Sequence, residues 1–206
     1  MFTGKKKVLI FIFAFALLFA ALPIAAAAAT TYTVVPGDSM WKIAVRYEIG
    51  LDEIKAANPQ VKNPDLIYPG DVLTIPGIDN KVLDYEAEVV RLVNVERAKY
   101  GLKPLTQNWQ LSRVARYKSQ DMKDLRYFSH TSPTYGSPFQ MMKSFNITYR
   151  SAGENIAMGQ TTPAAVVRAW MNSEGHRTNI LSASFTEIGV GYVAEGHYWT
   201  QMFIGK

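Results

Sequence analysis

The chain has 206 residues, enough for one ordinary domain and a small module, and its lack of cysteine excludes disulfides, a thiolate nucleophile and a lipobox for a lipid anchor. Its formal charge is +5, but Lys5, Lys6 and Lys7 lie in a segment that we expect to be removed, which leaves 19 basic against 17 acidic residues. A balance this close to neutrality argues against a nucleic-acid partner.

The first 29 residues have the layout of a signal peptide. The three lysines precede an apolar run over residues 8–22, which Pro23 and the alanines of residues 25–29 follow. An Ala-x-Ala cleavage site is available at residues 27–29. The alternative is a retained transmembrane anchor, because the apolar run is little shorter than the ~18 residues that a span needs. We favour cleavage, since no stop-transfer charges follow, and predict a secreted protein without a stable membrane anchor.

Residues 31–76 predict a small βααβ unit. Residues 32–35 are typical of a strand that ends at Pro36 and Gly37, and Ser39 can cap a helix that continues to Tyr47. A second helix over residues 51–58 and a closing strand over residues 72–75 follow. Trp41 falls on the apolar face of the first helix, so we predict that it belongs to the core.

Three stretches of this unit resemble a LysM domain: residues 32–44 (YTVVPGDSMWKIA), residues 54–59, and residues 67–76 (IYPGDVLTIP). The resemblance implies binding of N-acetylglucosamine-containing glycans such as peptidoglycan, in a shallow groove between the first strand-to-helix loop and the loop before the last strand. The residues that it places at the groove are Gly37, Asp38, Ser39, Met40, Pro64, Asp65, Leu66 and Ile67. Turn backbone would pair with acetamido groups while Met40, Leu66 and Ile67 cover sugar faces, or these residues only build the turns. The LysM domain would span residues 30–77.

A short polar break at residues 78–81 separates this unit from a second patterned region, residues 82–206. Apolar periodicity there predicts a first helix that Gly101 closes, and a second helix over residues 108–125 with a solvated face formed by Asp121, Lys123 and Asp124. The remaining predicted elements are a short helix over residues 139–145, a helix over residues 162–171, and strands over residues 188–193 and 198–203. This mix and order predicts an α+β chain whose larger domain is a three-layer α-β-α sandwich.

Six stretches of the second region resemble, in the family's order, the bacterial branch of the CAP (SCP/PR-1-like) superfamily. They are residues 94–97, 128–130, 153–157, 170–181, 188–192 and 198–203. The resemblance implies the α-β-α sandwich and a cleft that holds two histidines and two acidic residues. His130, Glu154 and His176 match three of those positions. The fourth position is Ser173 in this chain, and the adjacent Glu174 either supplies the missing carboxylate or faces water.

His130, Glu154, His176 and Glu174 are therefore the candidate catalytic residues. We predict that each of the first three lies beside a turn or a helix end and faces one solvent-reachable cleft. The resemblance implies a divalent metal such as Zn²⁺ at His130 and His176, with a carboxylate orienting a bound water. Alternatively, the two histidines only stabilise loops, or Glu154 and Glu174 form a glycosidase carboxylate pair. A serine hydrolase is not indicated, because the Gly-x-Ser-x-Gly motif is missing.

Together these features predict an exported, extracellular protein attached noncovalently to the cell wall through peptidoglycan or another GlcNAc-containing glycan, in the vegetative wall or the spore. Two hypotheses stay open for the CAP-like region. One is a noncatalytic binding domain for a wall component, a lipid or a metal. The other is a metal-assisted hydrolase that uses His130, Glu154 and His176 on a wall or protein substrate.

Overall fold

The computed structural model describes residues 29–206, so the predicted signal peptide lies outside the described residues except for Ala29. Within that range, no helix combines the length with the hydropathy that a bilayer crossing requires. The described chain forms two units, the N-terminal unit at residues 30–75 and the C-terminal unit at residues 80–205.

The N-terminal unit has the predicted βααβ arrangement. Its elements are β1 (Thr30–Thr33), α1 (Met40–Arg46), α2 (Leu51–Ala56) and β2 (Val72–Ile75). The strands are antiparallel, with Thr30 opposite Ile75 at one end and Thr33 opposite Val72 at the other. The Ser39 hydroxyl accepts a hydrogen bond from the Lys42 backbone N–H at 3.2 Å, which caps α1 as the sequence predicts.

Two predictions about α1 are wrong. Trp41, predicted in the core, is 61% exposed, whereas Met40, predicted to cover a sugar face, is only 2% exposed. Because α1 begins at Met40, this residue shares the inward face with Ile43 and Ala44, three and four positions later. Trp41 lies one residue further around the helix and so faces solvent.

The C-terminal unit is the predicted three-layer sandwich. Its elements are α3 (Asn80–Lys99), β3 (Thr106–Gln107), α4 (Trp109–Asp124), α5 (Pro138–Ser144), β4 (Ser151–Met158), α6 (Pro163–Asn172), α7 (Glu174–Ile180), β5 (Glu187–Val193) and β6 (Tyr198–Gly205). The strand order is β3-β5-β6-β4, with β3 parallel to β5 and the other neighbours antiparallel. Helices α4 and α5 cover one face of the sheet, and α3, α6 and α7 cover the other.

Two glycines of β5 allow α4 to approach the sheet closely. A Cβ at Gly189 would lie 2.3 Å from the backbone carbonyl carbon of Leu111, and one at Gly191 would lie 2.1 Å from the backbone nitrogen of Arg116. The distances are impossible for non-bonded atoms, so only glycine fits at these positions. This contact fixes α4, the helix that supports the candidate site.

Four elements of this unit differ from the sequence prediction, and one of them is the two-residue strand β3, which the pattern does not indicate. Helix α3 begins at Asn80, inside the predicted break, because the Asp79 side chain accepts from the Lys81 backbone N–H at 2.7 Å and caps it. Strand β4 was not predicted, since it is buried on both faces and lacks an apolar-polar alternation. Helix α7 is not predicted either, because Ser173 and Gly175 break the apolar pattern, although a helix tolerates glycine at a modest cost.

Candidate functional site

His130 lies on the loop between α4 and α5, and a buried lysine of α4 holds this loop. The Nζ of Lys118 donates to the Tyr127 hydroxyl at 3.0 Å, to the Ser129 carbonyl at 2.7 Å and to the His130 carbonyl at 3.1 Å. Lys118 is fully buried, and its burial lowers the pKa of the ammonium group. Since all three ammonium hydrogens have acceptors, the backbone is fixed at the residue that carries the imidazole.

Asp121 fixes the remainder of the same loop. Its carboxylate accepts hydrogen bonds from the hydroxyls of Tyr127 at 2.5 Å, Ser132 at 2.7 Å and Thr134 at 2.6 Å. Burial acts to raise the pKa of Asp121, but these hydrogen bonds outweigh it and hold the pKa below its usual value. The prediction that Asp121 faces solvent is wrong, since the residue is 8% exposed. The loop folds back over a helix face that would otherwise be solvated.

Glu154 supports the imidazole from inside the sheet. It projects from the middle of β4, opposite Met202 of β6, and so does not lie beside a turn as predicted. Its Oε1 is 2.7 Å from Nδ1 of His130, and 1% of the Glu154 side chain is exposed against 53% of the His130 side chain. Burial raises the pKa of Glu154, against the effects of the His130 hydrogen bond and the Lys118 charge. The second oxygen, Oε2, is buried without a hydrogen-bond partner.

His176 lies in the first turn of α7, four residues past the end of α6, so it lies beside a helix end as predicted. Burial and the neighbouring His130 lower the pKa of His176, so its imidazole is neutral near pH 7. Neutral imidazole is the form that binds divalent metals. Within residues 29–206, no group of three or more His, Asp or Glu side chains is arranged to hold a metal ion. A divalent metal at His130 and His176, which the resemblance implies, therefore stays a prediction.

Amide side chains that the sequence analysis missed fix α7 against β4. The Nδ2 of Asn155 donates to the His176 carbonyl at 3.1 Å, and the Nδ2 of Asn179 donates to Oδ1 of Asn155 at 2.9 Å. Asn155 and Gln201 are fully buried and also hydrogen-bonded to each other at 3.0 Å. The sequence does carry a signal for these residues. An amide side chain within a largely apolar strand indicates a buried hydrogen-bond partner, because buried polar groups are almost always hydrogen-bonded.

The side chains of Asn179 and Trp170 also reach the outer edge of β4. The Nδ2 of Asn179 donates to the Glu154 carbonyl at 3.2 Å, and Nε1 of Trp170 donates to the Ile156 carbonyl at 3.3 Å. Helices α6 and α7 therefore hold the strand that carries Glu154 through hydrogen bonds as well as through apolar packing.

A mostly apolar cavity of about 290 Å³ opens beside His176. Its lining comprises Phe128, Ile156, Ala157, Met158, Gln160, Ala169, Trp170, Ser173 and His176. Ser173, at the position where the resemblance expects an acidic residue, lines this cavity. Glu174 is exposed in the first turn of α7 and is not part of the lining, because the helix begins at this residue and directs it to solvent. Among the predicted site residues, only His176 lines this cavity, and His130, Glu154 and Glu174 lie outside the lining.

The predicted glycan groove lies where two loops of the N-terminal unit meet. The Val34 N–H donates to the Asp71 carbonyl at 2.8 Å, and the Gly70 N–H donates to the Val34 carbonyl at 2.9 Å. These bonds place the loop after β1 beside the loop before β2. Leu66 is 52% exposed there. The neighbouring Tyr68, which was not among the predicted groove residues, is 58% exposed.

The other predicted groove residues have different surroundings. Asp38 is committed to the turn: its side chain is 4% exposed and accepts from the Tyr32 hydroxyl at 2.5 Å and from Nη2 of Arg46 at 3.1 Å. Ser39 caps α1 and Met40 is in the core, as described above. Of the four remaining predicted groove residues, Gly37 and Asp65 are exposed, and Pro64 and Ile67 are half-buried.

Comparison with known proteins gives two matches to family models. Residues 90–204 match the cysteine-rich secretory protein family, CAP, and residues 32–76 match the LysM domain. The uncharacterized protein YkwD of Bacillus subtilis (strain 168) is 64% identical over 133 residues, which are 65% of this chain and 52% of YkwD. An N-acetylmuramoyl-L-alanine amidase, sle1 of Staphylococcus aureus (strain USA300), is 38% identical over 76 residues, 37% of this chain and 22% of sle1.

A solved structure is also similar. The extracellular protein containing a SCP domain from Bacillus anthracis str. Ames is 35% identical, with a TM-score of 0.59 over 67% of this chain and 47% of that protein. The chain thus spans about half the length of YkwD and of the B. anthracis protein.

Proposed function

The chain belongs to the cysteine-rich secretory protein (CAP) family and carries a LysM domain before the CAP domain, and on this premise we propose that it is an exported cell-wall protein that binds GlcNAc-containing glycans of peptidoglycan. The LysM domain is the attachment module in this proposal. The CAP domain presents the cleft of His130, Glu154 and His176 to a second ligand.

The observation that carries glycan binding is the pair of adjoining loops beside Val34. They offer exposed backbone at Gly37 and exposed apolar surface at Leu66 and Tyr68, which suits the acetamido groups and the apolar faces of amino sugars. The near-neutral charge of the exported chain makes adsorption to anionic wall polymers a minor force. A shallow site of this kind binds in the micromolar to millimolar range, about −4 to −8 kcal/mol, so attachment is noncovalent and reversible.

Sedimentation with insoluble peptidoglycan tests this proposal. We expect the full chain to sediment with the wall and to be released by GlcNAc oligomers. Leu66→Ser should weaken binding about tenfold, because it removes an apolar contact worth roughly 1.5 kcal/mol. The matched control is Val95→Ser, at an exposed apolar residue of α3. Equal sedimentation of the two variants would contradict the assignment of the groove.

For the CAP domain we propose a noncatalytic binding role toward a wall component or a lipid. Ser173 lines the cavity, whereas Glu154 and Glu174 both lie outside its lining, so hydrolysis by two carboxylates lacks both groups at this cavity. The exposed apolar residues Phe128 and Met158 at the cavity suit an apolar part of a ligand.

The second candidate function is metal-assisted hydrolysis, which the unpartnered Oε2 of Glu154 favours. Nε2 of His130 and the ring of His176 would hold a divalent cation such as Zn²⁺, while Glu154 orients His130 through Nδ1. A bound cation would supply Lewis acidity and an activated water.

Zymography on peptidoglycan and a casein protease screen, each with and without EDTA, separate the two functions. Activity that is lost with EDTA and in His130→Ala would establish a hydrolase and overturn the noncatalytic role. Inactivity of a folded, Zn²⁺-loaded protein in both assays is the result expected for a binding domain.

A further inference from the structure

The LysM and CAP domains contact each other through an ion pair. Glu53 of α2 and Arg113 of α4 form two hydrogen bonds, one between Nε and Oε1 and one between Nη2 and Oε2 at 2.8 Å. The Arg113 guanidinium also lies over the rings of Tyr117 and Phe145, 5.4 Å and 5.1 Å from their centroids. Both charged side chains are about three-quarters buried or more, with 26% and 18% exposed. A bidentate pair in this setting is geometrically specific.

The ion pair depends on a glycine at the interface. A Cβ at Gly50 would lie 1.9 Å from Oε2 of Glu53 and 2.1 Å from Nη2 of Arg113. The Gly50 φ angle is −78°, which any residue can adopt, so the backbone does not require glycine here. The space that glycine leaves is therefore needed by the ion pair between the domains.

Close packing does not replace this pair. A cavity of about 370 Å³ lies between the domains, with Ile49, Pro76 and Ile78 on one side and Val82 and Tyr117 on the other. Because atoms that line a cavity lose contacts, the domains do not pack closely here, and the Glu53–Arg113 pair is a specific contact that joins them.

The position of the contact separates the two proposed sites. On the LysM domain, the contact involves residues 48–53 and Pro76, at the end of the strand pair where Thr30 faces Ile75. The glycan loops lie at the opposite end, where Thr33 faces Val72. On the CAP domain, the contact is at Arg113 of α4. Lys118 and Asp121, which hold the His130 loop, lie further along the same helix. At 1.5 Å per residue, Asp121 is about 12 Å from Arg113 along the helix axis.

We propose that the Glu53–Arg113 contact fixes the LysM domain on α4 and makes the chain a rigid bridge between two partners. The LysM domain binds the glycan at one end. The CAP cleft at the other end faces a different wall component, not the glycan chain that the LysM domain of the same molecule binds. The identity of the LysM ligand in this inference rests on the proposed function, whereas the fixed position of the LysM domain on α4 does not.

Backbone ¹⁵N relaxation of the full chain tests the docking. LysM and CAP amides should report the same rotational correlation time in the wild type. In Gly50→Ala, Glu53→Arg and Arg113→Glu, the LysM amides should report a shorter time than the CAP amides. The combined Glu53→Arg and Arg113→Glu variant should restore the common value. The matched control is Gly175→Ala, where an added Cβ meets nothing within 4 Å.

Circular dichroism establishes that each variant is folded before its relaxation is compared. A shorter correlation time for the LysM amides in the wild type would overturn the rigid bridge. Unchanged relaxation in all three folded variants would overturn the role of the ion pair.

Addition of a short chitin oligosaccharide to the labelled wild type tests the separation of the sites. Amide shifts should change in residues 35–40 and 64–68 and stay constant at His130 and His176. Equal changes at the cleft, with the same dissociation constant, would overturn the two-partner arrangement. If no residue responds, the proposed glycan function fails, and the relaxation experiment still decides the docking.

Discussion

The buried carboxylate of Glu154 holds Nδ1 of the half-exposed His130 at 2.7 Å, so a residue inside the sheet sets the orientation of an imidazole on a loop. This relationship leaves the other ring nitrogen, Nε2, for a ligand at the surface. A carboxylate behind a histidine is also the arrangement that orients many metal-binding histidines.

Replacement of both His130 and His176 by Ala should abolish Zn²⁺ binding in calorimetry, because these residues are the two predicted histidine ligands. Glu154→Gln should weaken binding by about 10- to 100-fold, since the carboxylate only orients His130. Peptidoglycan sedimentation should be unaffected by these changes. The control is His197→Ala. In the wild type, Nδ1 of His197 is hydrogen-bonded to the Tyr192 hydroxyl at 2.7 Å. Unchanged Zn²⁺ affinity in the double variant would return the histidines to a loop-stabilising role.

Lys118→Met should lower the free energy of unfolding by about 2–4 kcal/mol, measured in urea, because it leaves two loop carbonyls and a hydroxyl without their buried donor. Lys123→Met, on the same helix, removes only a partly exposed pair with Asp124 and Glu195, and should change stability by less than about 1 kcal/mol. Similar losses in the two variants would show that Lys118 has no special structural role.

Asp121 should make the stability of the CAP domain sensitive to acid. The pKa of Asp121 is lowered on folding by its three hydroxyl donors, so its contribution to stability is present above the unfolded pKa near 3.9 and is lost as pH falls through the folded value. The difference in unfolding free energy between the wild type and Asp121→Asn should therefore be constant near neutrality and shrink below about pH 4. Asp84→Asn, at an exposed residue of α3, should track the wild type. A pH-independent difference for Asp121→Asn would contradict this account.

Gly191→Ala should destabilise the CAP domain by about 3 kcal/mol or more, because the added Cβ meets backbone atoms of Ala115 and Arg116 that cannot rotate away. Gly175→Ala should be neutral or stabilising, since it adds a helix-favouring methyl group in open space. Thermal unfolding of the two variants measures the contrast. A Gly191→Ala protein as stable as the wild type would mean that α4 can shift from β5 without cost.

Local chemistry explains which parts of the fold could be predicted. The N-terminal unit followed from the turn at Gly37 and the cap at Ser39, since both act within a few residues. The burial of Asp121 could not be predicted, because a loop that follows the helix covers it. The same limit applies to Glu154: its position in mid-strand depends on a sheet partner, Met202, that is 48 residues away. The resemblance indicates His130, Glu154 and His176 as one set, whereas the contacts of Lys118 and Asn155, which hold the backbone at the two histidines, could not be predicted because their partners are 12 and 21 positions away.

The hydrogen bonds from Asn179 and Trp170 to the carbonyls of Glu154 and Ile156 also bear on solubility. Strand β4 is at the edge of its sheet, and an open edge offers acceptors to which a strand of another molecule can add. Two of these acceptors are already taken by side chains of the same chain. Copies of this chain are thereby discouraged from joining edge to edge, and the strand that bears Glu154 can lie at the edge of the sheet without promoting aggregation.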